Sequence, residues 1–136
     1  MRAEADPVVL DITANDDVVR ARQLVRTLAQ ECRLSLVEQT KLVTAASELA
    51  RNTLVHGGGG TMQGHLVDDR ARRGVRVVFA DSGPGIADLE LALTDGWTSG
   101  SGLGLGLSGS RRLVDEFEID SAPGRGTTVT VTKWAR

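Results

Sequence analysis

Glu48 and Asn52 stand four residues apart in the stretch "SELARN". On a helix that spacing puts a carboxylate and an amide on one face. Two readings stand. One is a solvated glutamate paired with an asparagine along a helix surface. The other is a metal and base site. An amide oxygen suits Mg²⁺, which takes few protein ligands and completes its shell with water and phosphate. A glutamate one turn away is placed to accept a proton from an attacking hydroxyl or water.

Asp81 opens "DSGPGI" at the end of an apolar run. It reads either as an ordinary Asx-type turn leaving a strand or as a carboxylate pointing into a pocket. In the second reading it accepts a hydrogen bond from an exocyclic amine, and Gly83 and Gly85 let the loop approach a base. The third stretch is "TSGSGLGLGLSGS", residues 98–110, in which Gly100, Gly102, Gly104 and Gly106 alternate with Ser and Leu. Glycine in regular structure costs conformational entropy. The run is therefore a linker, a turn series or a loop that wraps a ligand. Loop amides that end at a helix N-terminus cradle phosphates. There is no Gly-Lys-Ser/Thr of a Walker A loop, and "VAIK", "HRD" and "DFG" are missing. A dinucleotide fingerprint is excluded because no strand directly precedes the glycines.

These residues need a scaffold. "VVLDI" (8–12) reads as a short edge strand after Pro7. Asn15 or Asp16 is placed to cap a helix on which Val18, Ala21, Leu24, Val25, Leu28 and Cys32 recur at helical spacing. "SLVE" (35–38) is a capping box with Ser35 as N-cap. The helix it opens buries Leu42, Val43, Ala46, Leu49, Ala50 and Thr53, and stops at "HGGGG". Residues 61–68 and 75–81 read as a hairpin across the charged turn "DDRARRG". A short helical stretch near 87–94 precedes the glycines, and a helix carrying Leu107, Leu113, Val114 and Phe117 follows them. "FEID", "APGRG" and "TTVTVTKW" close the chain as strand, turn and strand. These elements predict an α+β fold, a two-layer sandwich of a mixed sheet with helices on one face.

The composition bounds the function. The 136 residues suit one domain. A net charge of −2 argues against non-specific nucleic-acid binding. The single cysteine, Cys32, leaves no internal disulfide and fits a reducing compartment. No apolar run approaches the roughly 20 residues of a membrane span. "MRAEADPVVLDI" lacks the pattern of a signal peptide. No nucleic acid, no membrane and a cytoplasmic location are the expectations.

In this order, E-x-x-x-N on a helix, D-x-G-x-G after a strand, a glycine-rich loop before a helix and "GRGTT" at a late strand resemble the Bergerat-fold (GHKL) ATPases, which include gyrase, Hsp90 and histidine kinases. The resemblance extends to the bacterial anti-sigma factor kinase branch through "SELARN", "DSGPGI", "SGSGLGLGL", "RRLVDEF" and "TKW". Within that branch the chain is most similar to the serine/threonine switch kinases of stressosome signalling. The resemblance implies one ATPase domain over 1–136, with an ATP lid at about 95–107. It implies ATP and Mg²⁺ as cofactors, Glu48 as general base and Asn52 as the metal ligand. Asp81 would bind the adenine 6-amino group, with Gly83 and Gly85 passing the base. Ser101, Gly102, Leu103, Gly104, Leu105 and Gly106 would form the lid around the phosphates, and Thr127 would close the adenine pocket. Arg51, Arg111 and Arg112 are candidates to neutralise phosphate, and equally read as solvated helix arginines. His56 is explained by the helix dipole alone. Trp97 and Trp134 read as core or as partner surface. The implied acceptor is a Ser or Thr of a STAS-domain antagonist protein, with a PP2C-type phosphatase as second partner. The alternatives are an anti-sigma factor that sequesters a sigma factor under nucleotide control, and a nucleotide binder without turnover.

Overall fold

The computed structural model describes residues 7–93 and 103–135; residues 89, 91 and 103–106 are described by backbone alone. Strand β1 (Val8–Ile12) is followed by helices α1 (Asn15–Glu31) and α2 (Leu36–Val55). Strands β2 (Gly60–Asp69) and β3 (Arg72–Asp81) come next. Helices α3 (Leu89–Ala92) and α4 (Leu103–Leu113) precede strands β4 (Glu116–Ser121) and β5 (Thr127–Trp134).

The five strands make one sheet in the order β1-β2-β3-β5-β4. Every pairing is antiparallel, where a mixed sheet was expected. The connections explain the difference. Helices α1 and α2 form a hairpin that returns the chain to the end of β1, so Gly60 pairs with Ile12. The stretch through α3, α4 and β4 likewise returns it to the end of β3, so Thr127 pairs with Asp81. The β2–β3 hairpin is tighter than the sequence suggested. Its strands run to Asp69 and from Arg72, and Arg70 takes a left-handed φ of 49° in the turn.

The helices pack on one face of the sheet. Ile12, Met62, Val75, Val77, Phe79, Val129 and Val131 meet Val18, Ala21, Val25 and Leu28 of α1 and Leu42, Val43, Ala46, Leu49 and Ala50 of α2. These are the positions that helical and alternating periodicity select. Cys32 is buried in the same core, and burial pushes its thiol pKa up.

The start of α1 differs from expectation. The N-cap of α1 is Ala14, not Asn15 or Asp16. Alanine has no side-chain acceptor, and Asp17 takes over the role from the first turn. Its Oδ2 accepts from Thr13 N at 3.0 Å and Ala14 N at 3.1 Å. At α2 the expected cap forms, and Ser35 Oγ accepts from Glu38 N at 3.1 Å. The Glu38 side chain turns instead toward buried Lys133, with 2.9 Å between Oε2 and Nζ.

The expected lid crosses the limit of the described residues. Trp97, Ser101 and Gly102 lie outside them. Leu103, Gly104, Leu105 and Gly106, expected as loop, form the first turn of α4. Glycine's helix penalty of about 1 kcal/mol is overcome by tertiary packing, with Leu107 buried in the common core.

Candidate functional site

At the C-terminal half of α2 the helix, the end of β3 and the start of β5 enclose a cavity of about 180 Å³. Leu49, Thr53, Phe79, Ile86, Leu107 and Val129 supply apolar walls. Asn52, His56, Asp81 and Thr127 bring polar groups to it, and Pro84 and Gly85 form its loop side. An apolar pocket with a few converging polar groups is the form of a small-molecule site. Residues far apart in sequence meet here because Asp81 pairs with Thr127 at the ends of neighbouring strands.

Asp81 is half-buried. Its Oδ1 accepts from Gly83 N at 2.9 Å, and no donor is bonded to Oδ2 among the described residues. The carboxylate is thus held by its own loop with one oxygen left for a ligand. The loop is fixed in turn. Gly85 adopts φ of 77°, and a Cβ there would collide with the Ala122 carbonyl. Gly124 N donates to Pro84 O at 2.7 Å. A Cβ on Gly83 would meet the backbone of Gly57 at 2.7 to 3.0 Å. Both glycines are therefore demanded by contact with other segments of the chain. Thr127 bonds to Ser121, with 2.8 Å between the two hydroxyl oxygens.

Asn52 is half-buried, and its Nδ2 is buried with no hydrogen-bond partner among the described residues. Its amide is available to a phosphate or, through Oδ1, to a cation. No group of three or more His, Cys, Asp or Glu side chains among the described residues could hold a metal. A cation here would draw on Asn52 and then on the ligand and water, a donor set that fits Mg²⁺.

Glu48 shares the α2 face with Asn52 but does not line the cavity. It opens one turn away onto a groove formed with Arg22 and Arg26 of α1 and Thr40, Val43, Thr44 and Ser47 of α2. The two halves of "SELARN" thus serve adjoining spaces. Arg51, Arg111 and Arg112 are exposed and outside the cavity lining. His56 caps α2, donating its N–H to Asn52 O at 2.9 Å, and also lines the cavity. Trp134 is core. Its indole Nε1 donates to Glu116 at 2.7 Å and Arg72 stacks on its ring.

The sequence did not reveal Gly57 or Ser121. Gly57 read only as the stop of α2, yet a Cβ there would be 2.6 Å from Asp81 Oδ2. Ser121 carried no motif signal at all. The apolar walls were legible as core but not as pocket.

The chain and its fold resemble known proteins. The profile of the histidine kinase-, DNA gyrase B- and HSP90-like ATPases matches residues 37–136. The chain is 42% identical over 120 residues to serine/threonine-protein kinase RsbT of Bacillus subtilis, covering 88% of this chain and 90% of that one. It is 31% identical over 121 residues to an anti-sigma F factor of Bacillus licheniformis, covering 83% and 81%. Its fold superposes, with a TM-score of 0.67 at 24% identity, on the crystal structure of the RsbU and RsbW domains of a Mycobacterium tuberculosis protein. That match takes in 99% of this chain, which spans 34% of the other. No helix among the described residues is long and apolar enough to cross a membrane. The chain belongs to the histidine kinase-, DNA gyrase B- and HSP90-like ATPase family.

Proposed function

We propose that this chain is an ATP-dependent protein serine/threonine kinase of a partner-switching pathway. The observation that carries this reading is the convergence of Asn52, Asp81, Gly85 and Thr127 on one cavity, in a chain 42% identical to a serine/threonine kinase over most of its length. Adenine enters the cavity with its 6-amino group toward the free oxygen of Asp81. The triphosphate then runs along α2 toward the N-terminus of α4. Backbone amides of Gly104 and Gly106 lie in the first turn of that helix, where N–H groups and the helix dipole favour anions. Asn52 would hold Mg²⁺, which supplies charge neutralisation on the phosphates. The remainder of the proposed lid, with Ser101 and Gly102, lies outside the described residues.

Glu48, on the groove side of α2, is the proposed general base. The acceptor Ser or Thr enters from the groove shared with Arg22 and Arg26. Its oxygen attacks the γ-phosphorus, the bond to the β–γ bridging oxygen breaks, ADP leaves, and Glu48 takes the hydroxyl proton. Such transfer depends on positioning and charge stabilisation. The acceptor is a STAS-domain antagonist protein in the cytoplasm, and a PP2C-type phosphatase is the second partner of the released kinase. Incubation with [γ-³²P]ATP and the STAS proteins of the same genome tests this, and the expected result is label on one Ser or Thr of one of them.

The similarity to anti-sigma F factors supports a second reading, sequestration of a sigma factor under nucleotide control. Affinity capture of sigma factors on the nucleotide-loaded chain separates the two. The kinase reading expects none to be retained.

A further inference from the structure

Ser121 does not line the cavity, yet its hydroxyl touches two residues that do, Ile86 and Thr127, and Gly126 next to Thr127. Ser121 Oγ accepts from Ile86 N at 2.8 Å, lies 3.1 Å from Gly126 O, and lies 2.8 Å from Thr127 Oγ1. A serine hydroxyl has one hydrogen and two lone pairs. Ile86 N–H can only donate and Gly126 C=O can only accept. With all three bonds made, one assignment remains. Ser121 donates to Gly126 O, and its two lone pairs accept from Ile86 N and from the Thr127 hydroxyl. The Thr127 hydrogen is thereby spent on Ser121, and the Thr127 hydroxyl has only lone pairs left to offer a ligand in the cavity.

The geometry points to Ser121 as the positioning residue that sets the hydrogen-bond polarity of the base pocket. Thr127 and the Asp81 carboxylate then both present acceptors to the cavity. A ligand edge carrying an amine satisfies them, directly or through a water that donates to both. A carbonyl placed where that amine would sit meets lone pairs on both sides, and buried acceptors without a donor are costly. Ser121 thus selects 6-amino over 6-oxo purine nucleotides without touching either. This rests on the proposal that the cavity holds the nucleotide base. The fold makes the device economical. The same hydroxyl ties the Asp81 loop at Ile86 to the β4–β5 turn at Gly126, so both walls and their polarity depend on one side chain.

The test is calorimetric binding of Mg-ATP and Mg-ITP, whose base carries a 6-oxo group, to the wild type, Ser121→Ala, Ser121→Thr, Thr127→Val and the double variant. The readout is the ratio of the two affinities, because mere loosening of the turn weakens both nucleotides in parallel. The wild type is expected to prefer ATP. Ser121→Ala frees the Thr127 hydrogen to donate toward a 6-oxo group, and the ratio falls about tenfold, the scale of one neutral hydrogen bond. Ser121→Thr keeps the hydroxyl and is expected to restore the ratio. The double variant should match Thr127→Val alone, since Ser121 acts through Thr127. A wild-type ratio retained in Ser121→Ala overturns the inference while leaving the nucleotide site standing. If Ser121→Ala does not fold, an unchanged ratio in Thr127→Val overturns it equally. Equal ATP and ITP affinity in the wild type, unaffected by Asp81→Asn, removes the base-pocket reading itself.

Discussion

Gly57→Ala is the smallest change that should reach the proposed nucleotide site through space alone. Gly57 follows the α2 cap and donates its N–H to Asn52 O at 3.1 Å. Its φ lies outside the left-handed region, so its backbone suits alanine. The added Cβ, however, would fall on Asp81 Cγ and stand 2.6 Å from both Cβ and Oδ2 of Asp81. Ordinary contact begins near 3.4 Å, so the carboxylate must move by about 1 Å. Asp81 cannot retreat with its backbone, because it pairs with Gly60 on one side and Thr127 on the other. Rotation is the exit, and it breaks the 2.9 Å bond from Gly83 N to Oδ1. Overpacking of this kind costs about 1–3 kcal/mol, which expressed in binding is a loss of about five- to 150-fold. Titration with a non-hydrolysable Mg-ATP analogue is expected to show at least a tenfold loss, with a melting temperature lower by only a few degrees. Gly58→Ala is the control. At φ of 75° it is strained, but nothing lies within 4 Å of its Cβ. It should lose about 1 kcal/mol of stability and keep wild-type affinity. Wild-type nucleotide affinity in a folded Gly57→Ala would refute the reasoning, because the position of Asp81 would then not matter to binding.

Two further predictions concern what holds the frame. Lys133, its side chain 6% exposed, lies 2.9 Å from Glu38 Oε2 and donates to Leu113 O, the last residue of α4, at 3.0 Å. Lys133→Met strands a half-desolvated carboxylate and a helix carbonyl and should cost about 3 kcal/mol, and adding Glu38→Met should recover most of that loss in thermal melts. At the start of α1, the backbone N–H of Thr13 is the main cause holding the Asp17 carboxyl below its usual 3.8. A depressed folded value contributes stability above pH 3.8 that is lost as the pH falls through the folded pKa. Asp17→Asn should therefore flatten the acid limb of the stability profile and leave little pH dependence there for α1 to show in amide exchange.

The parts of the structure legible in sequence are those governed by local rules. Periodicity placed the core faces of α1 and α2, and the Ser35 cap formed as its motif indicates. Asp81 and Thr127 were both picked from motifs, and the sheet register then brings them side by side. What was not legible depends on distant segments. Strand direction follows from where helix hairpins return the chain. The helical start at Leu103 follows from α4 packing, against the preference of its glycines. Ala14 caps α1 only because Asp17 reaches back to it. Gly57 and Ser121 act through space and hydrogen bonding across the fold, and neither leaves a pattern along the chain. The separation of Glu48 from the cavity is a matter of which neighbours flank each turn of α2, which the i, i+4 spacing does not encode.

Phosphoryl transfer by Glu48→Ala tests the central claim most directly. The wild type and the variant are compared with [γ-³²P]ATP and the proposed STAS-domain acceptor, alongside calorimetric Mg-ATP affinity. Because Glu48 faces the groove and not the cavity, the variant should bind Mg-ATP as the wild type does. Its transfer rate should fall by about 10²–10⁴-fold, the contribution of a general base. Transfer at the wild-type rate, or nucleotide affinity lost together with activity, would contradict the division of α2 into a binding side and a chemical side.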